Sequence, residues 1–213
     1  MFEAVKQEIS CPKCGRTIEI ELWPEIDTDT ENALEDIISG SLFDICCGCG
    51  FHTQVQYPLS FDDKLHGVKI WYRPPEQAEE VTAEIKAAAE TGRKCRLVHS
   101  LDAFCEKAAI VNAGLDDRMV EVMKLATKAH LAEALSGADV EPIIFTASGG
   151  VSRFLFRYEG QTEYIDMDMG EYNEFSTIFG PMLELSGDAD TVIDRVWAMK
   201  FLGIGAGEEA DAE

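Results

Sequence analysis

Two short stretches carry the residues of this chain best suited to chemistry: C-P-K-C-G at 11–15 and C-C-G-C-G at 46–50, with His52 just beyond the second. Laid over each other, both read C-x-x-C-G, with Cys11 and Cys14 in the first and Cys46 and Cys49 in the second. Two residues between cysteines make a tight turn that brings both sulfurs within reach of one tetrahedral ion, and a following glycine can adopt the left-handed conformation that closes it. Two such turns supply four thiolates, a donor set that favours zinc, with iron as the main rival. The expected metal ligands are therefore Cys11, Cys14, Cys46 and Cys49. In this register Cys47 stands where the first cluster has Pro12, and Cys47 and His52 fall outside the shell. A shell that includes Cys47 or His52 is the alternative. A zinc ion closed in by four thiolates has no open position for substrate, so its role is structural, and Lys13 and Arg16 are placed to offset the net negative charge of the site.

The redox setting agrees with this reading. Seven cysteines is an odd number, and the first residues lack the basic start and apolar run of a secretion signal. A disulfide framework is then a poor use of them, and a redox C-x-x-C usually stands alone, against the duplication seen here. No segment approaches the length of apolar residues that crossing a bilayer needs. The expectation is a cytoplasmic protein.

Each cluster needs strands to hold it. In T-I-E-I-E-L-W at 17–23, Ile18, Ile20 and Leu22 alternate with polar residues, the period of a half-buried strand, and 5–10 pairs with it around the first cluster. Runs at 42–45 and 51–57 flank the second. Between the clusters Thr28 and Glu31 have capping-box spacing, which predicts a short helix over about 29–39 that stops at Gly40. A strand at 67–72 leads to Pro74-Pro75, a plausible domain boundary. Beyond it the patterns predict a helix over 76–91, a strand over 94–98, a helix from the Ser100 cap to about 112 and a longer one after Asp116. From Pro142 the chain switches to strands. If Glu159-Gly160 is a two-residue turn, Arg153 lies opposite Asp166 and Phe154 opposite Ile165 in an antiparallel meander. A last helix is expected over 191–202.

The fold class expected is α+β: a zinc-ribbon-like β domain over 1–73 with an inserted short helix, then an α+β domain over 76–204 with a helical middle, a C-terminal β-meander and a final helix. Residues 205–213 read as an acidic, disordered tail.

The quoted cysteine motifs, a spacer of about 30 residues with a short helix, then Q-Y-P-L-S and K-I-W-Y, together resemble the CpXC proteins of bacteria and archaea. A-G-L-D-D-R-M-V-E-V-M-K at 113–124 is similar to the helical segment of longer members. The resemblance spans roughly 4–130, and Cys47 departs from the family's proline. It implies a metal site and a prokaryotic, cytoplasmic origin without implying a reaction.

The remaining candidates have plainer readings. The formal charge of −22 is spread as −7 over 1–73, −4 over 74–140 and −11 over 141–213, a field that disfavours phosphate backbones and anionic lipid. Asp166 and Asp168 share a strand face as paired catalytic carboxylates can, yet Arg153 across the hairpin answers the charge. Asp116-Asp117-Arg118 reads as a helix cap and first turn. Arg93-Lys94-Cys95-Arg96 with His99 reads as a solvated basic turn, Cys95 and Cys105 as buried thiols, and Ser148-Gly149-Gly150 as a hairpin turn. The function expected is a zinc-binding protein-interaction or regulatory module with a protein partner. An enzyme with its site after Pro75 and a nucleic-acid-binding ribbon are the alternatives, the second weakened by the acidic charge.

Overall fold

Alternating and continuous apolar runs sort the first half of the chain into small sheets. A computed structural model describes residues 3–137, 140 and 142–205. The first hairpin joins β1 (Val5–Ser10) and β2 (Thr17–Leu22), antiparallel with Ile9 opposite Ile18. Its exposed Glu19 and Glu21 share Lys6 from the facing strand, at 3.1 and 3.5 Å. A short β3 (Glu25–Asp27) follows, then α1 (Ala33–Ser39), which ends at Gly40 with φ +77°. The helix starts later than Thr28 suggests. Asp27 Oδ1 accepts from the Asp29 amide and the Thr30 hydroxyl, which turns the chain before helix can form.

A single 3₁₀ turn at Ser41–Phe43 leads into the second hairpin, β4 (Asp44–Cys47) and β5 (Phe51–Gln54). The main sheet is then built by β6 (Leu59–Asp63) and β7 (Val68–Tyr72). Pro74-Pro75 end β7 without ending the sheet. A 3₁₀ segment at Pro75–Val81 and α2 (Thr82–Glu90) carry the chain back to β8 (Lys94–Val98), which pairs parallel with β7. The sheet order is β3-β6-β7-β8, and its middle strands are deeply buried, with Leu59, Phe61, Ile70 and Trp71 fully enclosed. β3 and β6 escape a periodicity search because one is three residues long and the other is buried on both faces. Phe43 stacks at a tilt on Tyr57 and edge-on to Phe104 of α3 (Leu101–Asn112), extending this core.

The chain divides into two compact units, 1–108 and 109–213. In the second, Asp116 caps α4 (Asp117–Ala134) by accepting from the Arg118 amide. The meander β9 (Ile144–Ser148), β10 (Val151–Tyr158) and β11 (Gln161–Asp166) has the expected register, Arg153 opposite Asp166 and Phe154 opposite Ile165. Phe145 and Phe154 meet edge to face in its core. The next element differs from expectation. Asp168 does not extend a strand; its carboxylate caps α5 (Met169–Ser186) by accepting from the Gly170 amide at 2.7 Å. Gly180-Pro181 inside that helix hides it from a propensity reading, and Thr177, whose carbonyl loses its donor to the proline ring, is exposed to solvent. The last helix, α6 (Arg195–Phe201), is capped by Asp194. The architecture is α+β, as expected; the tail beyond Gly205 lies outside the described residues.

Candidate metal centre

Each cysteine turn is the loop of a hairpin, and hairpin geometry decides which sulfurs meet. In the first, the Cys11 amide donates to the Arg16 carbonyl and the Gly15 amide to the Cys11 carbonyl, both at 2.8 Å. Four residues, 12–15, make the turn, and Gly15 takes φ +71°. In the second, β4 continues through Cys47, which pairs with Phe51, so only 48–50 make the turn. The Gly50 amide donates to the Cys47 carbonyl and Gly50 takes φ +80°, a three-residue loop closed by a left-handed glycine. The second turn is one residue tighter than the first.

That residue changes the donor set. Cys11, Cys14, Cys47 and Cys49 have sulfurs all within 4.8 Å of one another, while Cys46 is not in the group. The reason is strand alternation: Asp44 and Cys46 are exposed on one face of β4, whereas Ile45 and Cys47 turn to the other. His52 pairs with Cys46 in the ladder and reaches Asp44 at 3.3 Å, away from the sulfurs as well. Cys47 is thus the residue that the repeated-motif reading set aside. The spacing C-G-C-G, with a glycine placed to close a three-residue loop, is the signal that points to it.

The four sulfurs fit a tetrahedral ion. Metal–sulfur bonds of about 2.3 Å imply sulfur–sulfur edges of about 3.8 Å, and the Cys11–Cys49 and Cys14–Cys47 pairs each stand 3.7 Å apart. Cys11 is buried, Cys47 and Cys49 half-buried and Cys14 exposed. Charge is prepared unevenly across the set. The Arg16 amide bonds the Cys14 sulfur and, with help from the neighbouring thiols, brings that group down to about 6. At Cys49 the Phe51 amide works in the same direction, but desolvation and the three other cysteines outweigh it and push the thiol up to about 12. The Cys14 thiolate forms easily, and Cys49 resists sharing its space without a cation.

Two basic residues sit beside the sulfurs. Hydrogen bonding to Cys14 and the nearby charge of Cys14, Cys47 and Cys49 raise the Arg16 guanidinium above its ordinary value. Lys13 donates to the Cys49 carbonyl at 3.4 Å.

The other sequence candidates resolve into structure, although the expected solvated basic turn is not one: Lys94–Val98 forms β8, Arg96 is buried, and Arg93 pairs with Asp62 at 3.1 Å. Arg153 pairs with Asp166 at 2.7 Å and stacks over Tyr164. Arg118 pairs with Asp116 and donates to the Leu183 and Gly187 carbonyls, tying the start of α4 to the end of α5. Burial pushes the Cys105 thiol up to about 12, as suits a packed sulfur. Gly149 and Gly150, both at positive φ, form the β9–β10 turn. No described helix is long and apolar enough to cross a membrane.

A family model described as CpXC protein matches residues 9–124, more than half of the chain and both cysteine turns. No curated protein and no solved structure matches.

Proposed function

This chain belongs to the CpXC family, and on that premise we propose that it binds one zinc ion through Cys11, Cys14, Cys47 and Cys49 as the structural staple of a protein-interaction module. The observation that carries the reading is the set of four thiols within 4.8 Å, drawn from two hairpin turns far apart in sequence. A site filled by four thiolates leaves no position for water or substrate, which supports a structural role over a catalytic one. The burial pattern supports it too: β1 has one half-buried residue, Ile9, and the rest of the strand is exposed. A hairpin with so little core of its own is marginal alone, and a shared ion would join it to the second hairpin. Thiolate ligands persist in a reducing compartment, and the proposed setting is the cytoplasm of a prokaryote. Arg16 and Lys13 moderate the charge of about −2 that zinc and four thiolates would carry.

The test is metal analysis of the full chain purified without added metal, alongside single serine variants. One equivalent of zinc is expected, lost in Cys47→Ser and kept in Cys46→Ser. Retention of zinc by Cys47→Ser with loss in Cys46→Ser would return the site to the evenly spaced register.

A further inference from the structure

Beside the metal centre the first unit has a cleft of about 290 Å³ whose lining mixes apolar side chains such as Ile18, Ile20 and Ile45 with the acids Glu19, Glu21 and Asp44. That volume sits at the small end of ligand pockets and has room for a few side chains. Its walls include runs of consecutive residues, 18–21 of β2 and 44–46 of β4. Successive side chains of a strand point to opposite faces, so a wall built from consecutive residues is a strand edge.

The hydrogen-bond phase identifies that edge. In an antiparallel pair, bonded and non-bonded positions alternate. The Cys11 amide bonds the Arg16 carbonyl, so Ile9–Ile18 and Gln7–Ile20 are the bonded positions of the first hairpin. The amides and carbonyls of Glu19 and Glu21 therefore point away from β1. By the same rule the Val55–Phe43 bond turns those of Asp44 and Cys46 away from β5. Among the described residues β2 pairs only with β1, and β4 only with β5.

We propose that β2 takes up an extended segment of a partner protein as an added antiparallel strand, with basic residues alternating with apolar ones. The inference rests on the interaction-module reading above and names the partner's chemistry. A strand added to β2 places one set of its side chains opposite Ile18 and Ile20 and the other opposite Glu19 and Glu21. Those carboxylates and Asp44 face one lysine, Lys6, which already bridges Glu19 and Glu21, and His52 at Asp44. The acidic excess selects lysine or arginine at alternate positions of the partner. It also opposes the same edge of a second copy, which carries the same acids.

The test uses the full, zinc-loaded chain and a capped six-residue peptide in which lysine alternates with valine, the length of β2. Saturable binding by fluorescence anisotropy is expected. Charge reversal in Glu19→Lys/Glu21→Lys should weaken it about tenfold or more. Peptide N-methylation separates strand addition from general charge attraction on the unaltered protein. Methylating the lysine amides, which face β2, should abolish binding, whereas methylating the valine amides should leave it within about twofold. Equal binding of the two methylated peptides overturns the proposal, as does no saturable binding by a folded chain carrying its equivalent of zinc. Binding by a chain that holds no zinc would instead remove the metal reading and leave strand addition standing.

Discussion

The two cysteine turns meet at one point by different routes. The first spans four residues between Cys11 and Arg16, with cysteines three apart; the second spans three between Cys47 and Phe51, with cysteines two apart. Each closes on a left-handed glycine, Gly15 or Gly50, and each supplies two sulfurs to a group within 4.8 Å. The constraint on a tetrahedral site is the position of the sulfurs, and hairpins of different loop length can satisfy it. A repeated motif in sequence therefore does not require a repeated turn. What the two turns share is weak support from their own strands, in contrast to the central sheet, where β6 and β7 are enclosed.

The strongest way to break this comparison is to remove one sulfur from each turn. Cys14→Ser and Cys47→Ser should each release the proposed zinc and unfold both cysteine hairpins, since structural zinc contributes on the order of 10 kcal/mol to folding in small domains. The meander, with its own Phe145–Phe154 core, should keep its amide-exchange protection in the same samples. Protection lost in only one of the two hairpins would show that the turns are not coupled.

Acid should act on both turns together. The Cys14 thiol is held near 6, below its ordinary value, by the Arg16 amide. A group depressed in the folded state contributes stability above its unfolded pKa and loses it as pH falls through the folded one. The proposed zinc would reinforce the same sign, because its ligands must be deprotonated. Zinc content after dialysis should fall as pH drops through 6 and below; full occupancy at about pH 4 would contradict thiolate ligation.

The closing glycines offer a milder comparison. A Cβ at Gly15 or Gly50 would meet nothing within 4 Å, so only backbone conformation opposes alanine there. Gly15→Ala and Gly50→Ala should each cost about 1–2 kcal/mol in chemical denaturation of the first unit. A much larger loss at Gly50 would indicate that the tighter turn is the more constrained.

Cys46→Ser should have the smallest effect, with zinc stoichiometry unchanged and stability within about 0.5 kcal/mol. Set beside Cys47→Ser, it is the most direct measure of which register the second turn uses.

Much of the frame was legible in the chain. Ile18, Ile20 and Leu22 announced β2 by their period, and Glu159-Gly160 placed Arg153 opposite Asp166 because a two-residue turn leaves one register open. Asp116 capped α4 as expected, whereas α6 begins at Arg195 behind Asp194, four residues later than the start at 191 that its pattern suggests. α5 was hidden by Gly180-Pro181, which its eighteen residues tolerate inside a helix, and β6 by burial on both faces.

At the candidate metal centre, four thiols from two glycine-closed turns were already evident in the chain, because cysteine spacing and hairpin signals are local properties of its residues. The choice between Cys46 and Cys47 belonged to the tertiary structure. Adjacent residues of a strand point to opposite faces, so the face of β4 directed at the first turn decides which sulfur joins the group. That direction is set by how the second hairpin continues from the buried Phe43 and Ile45.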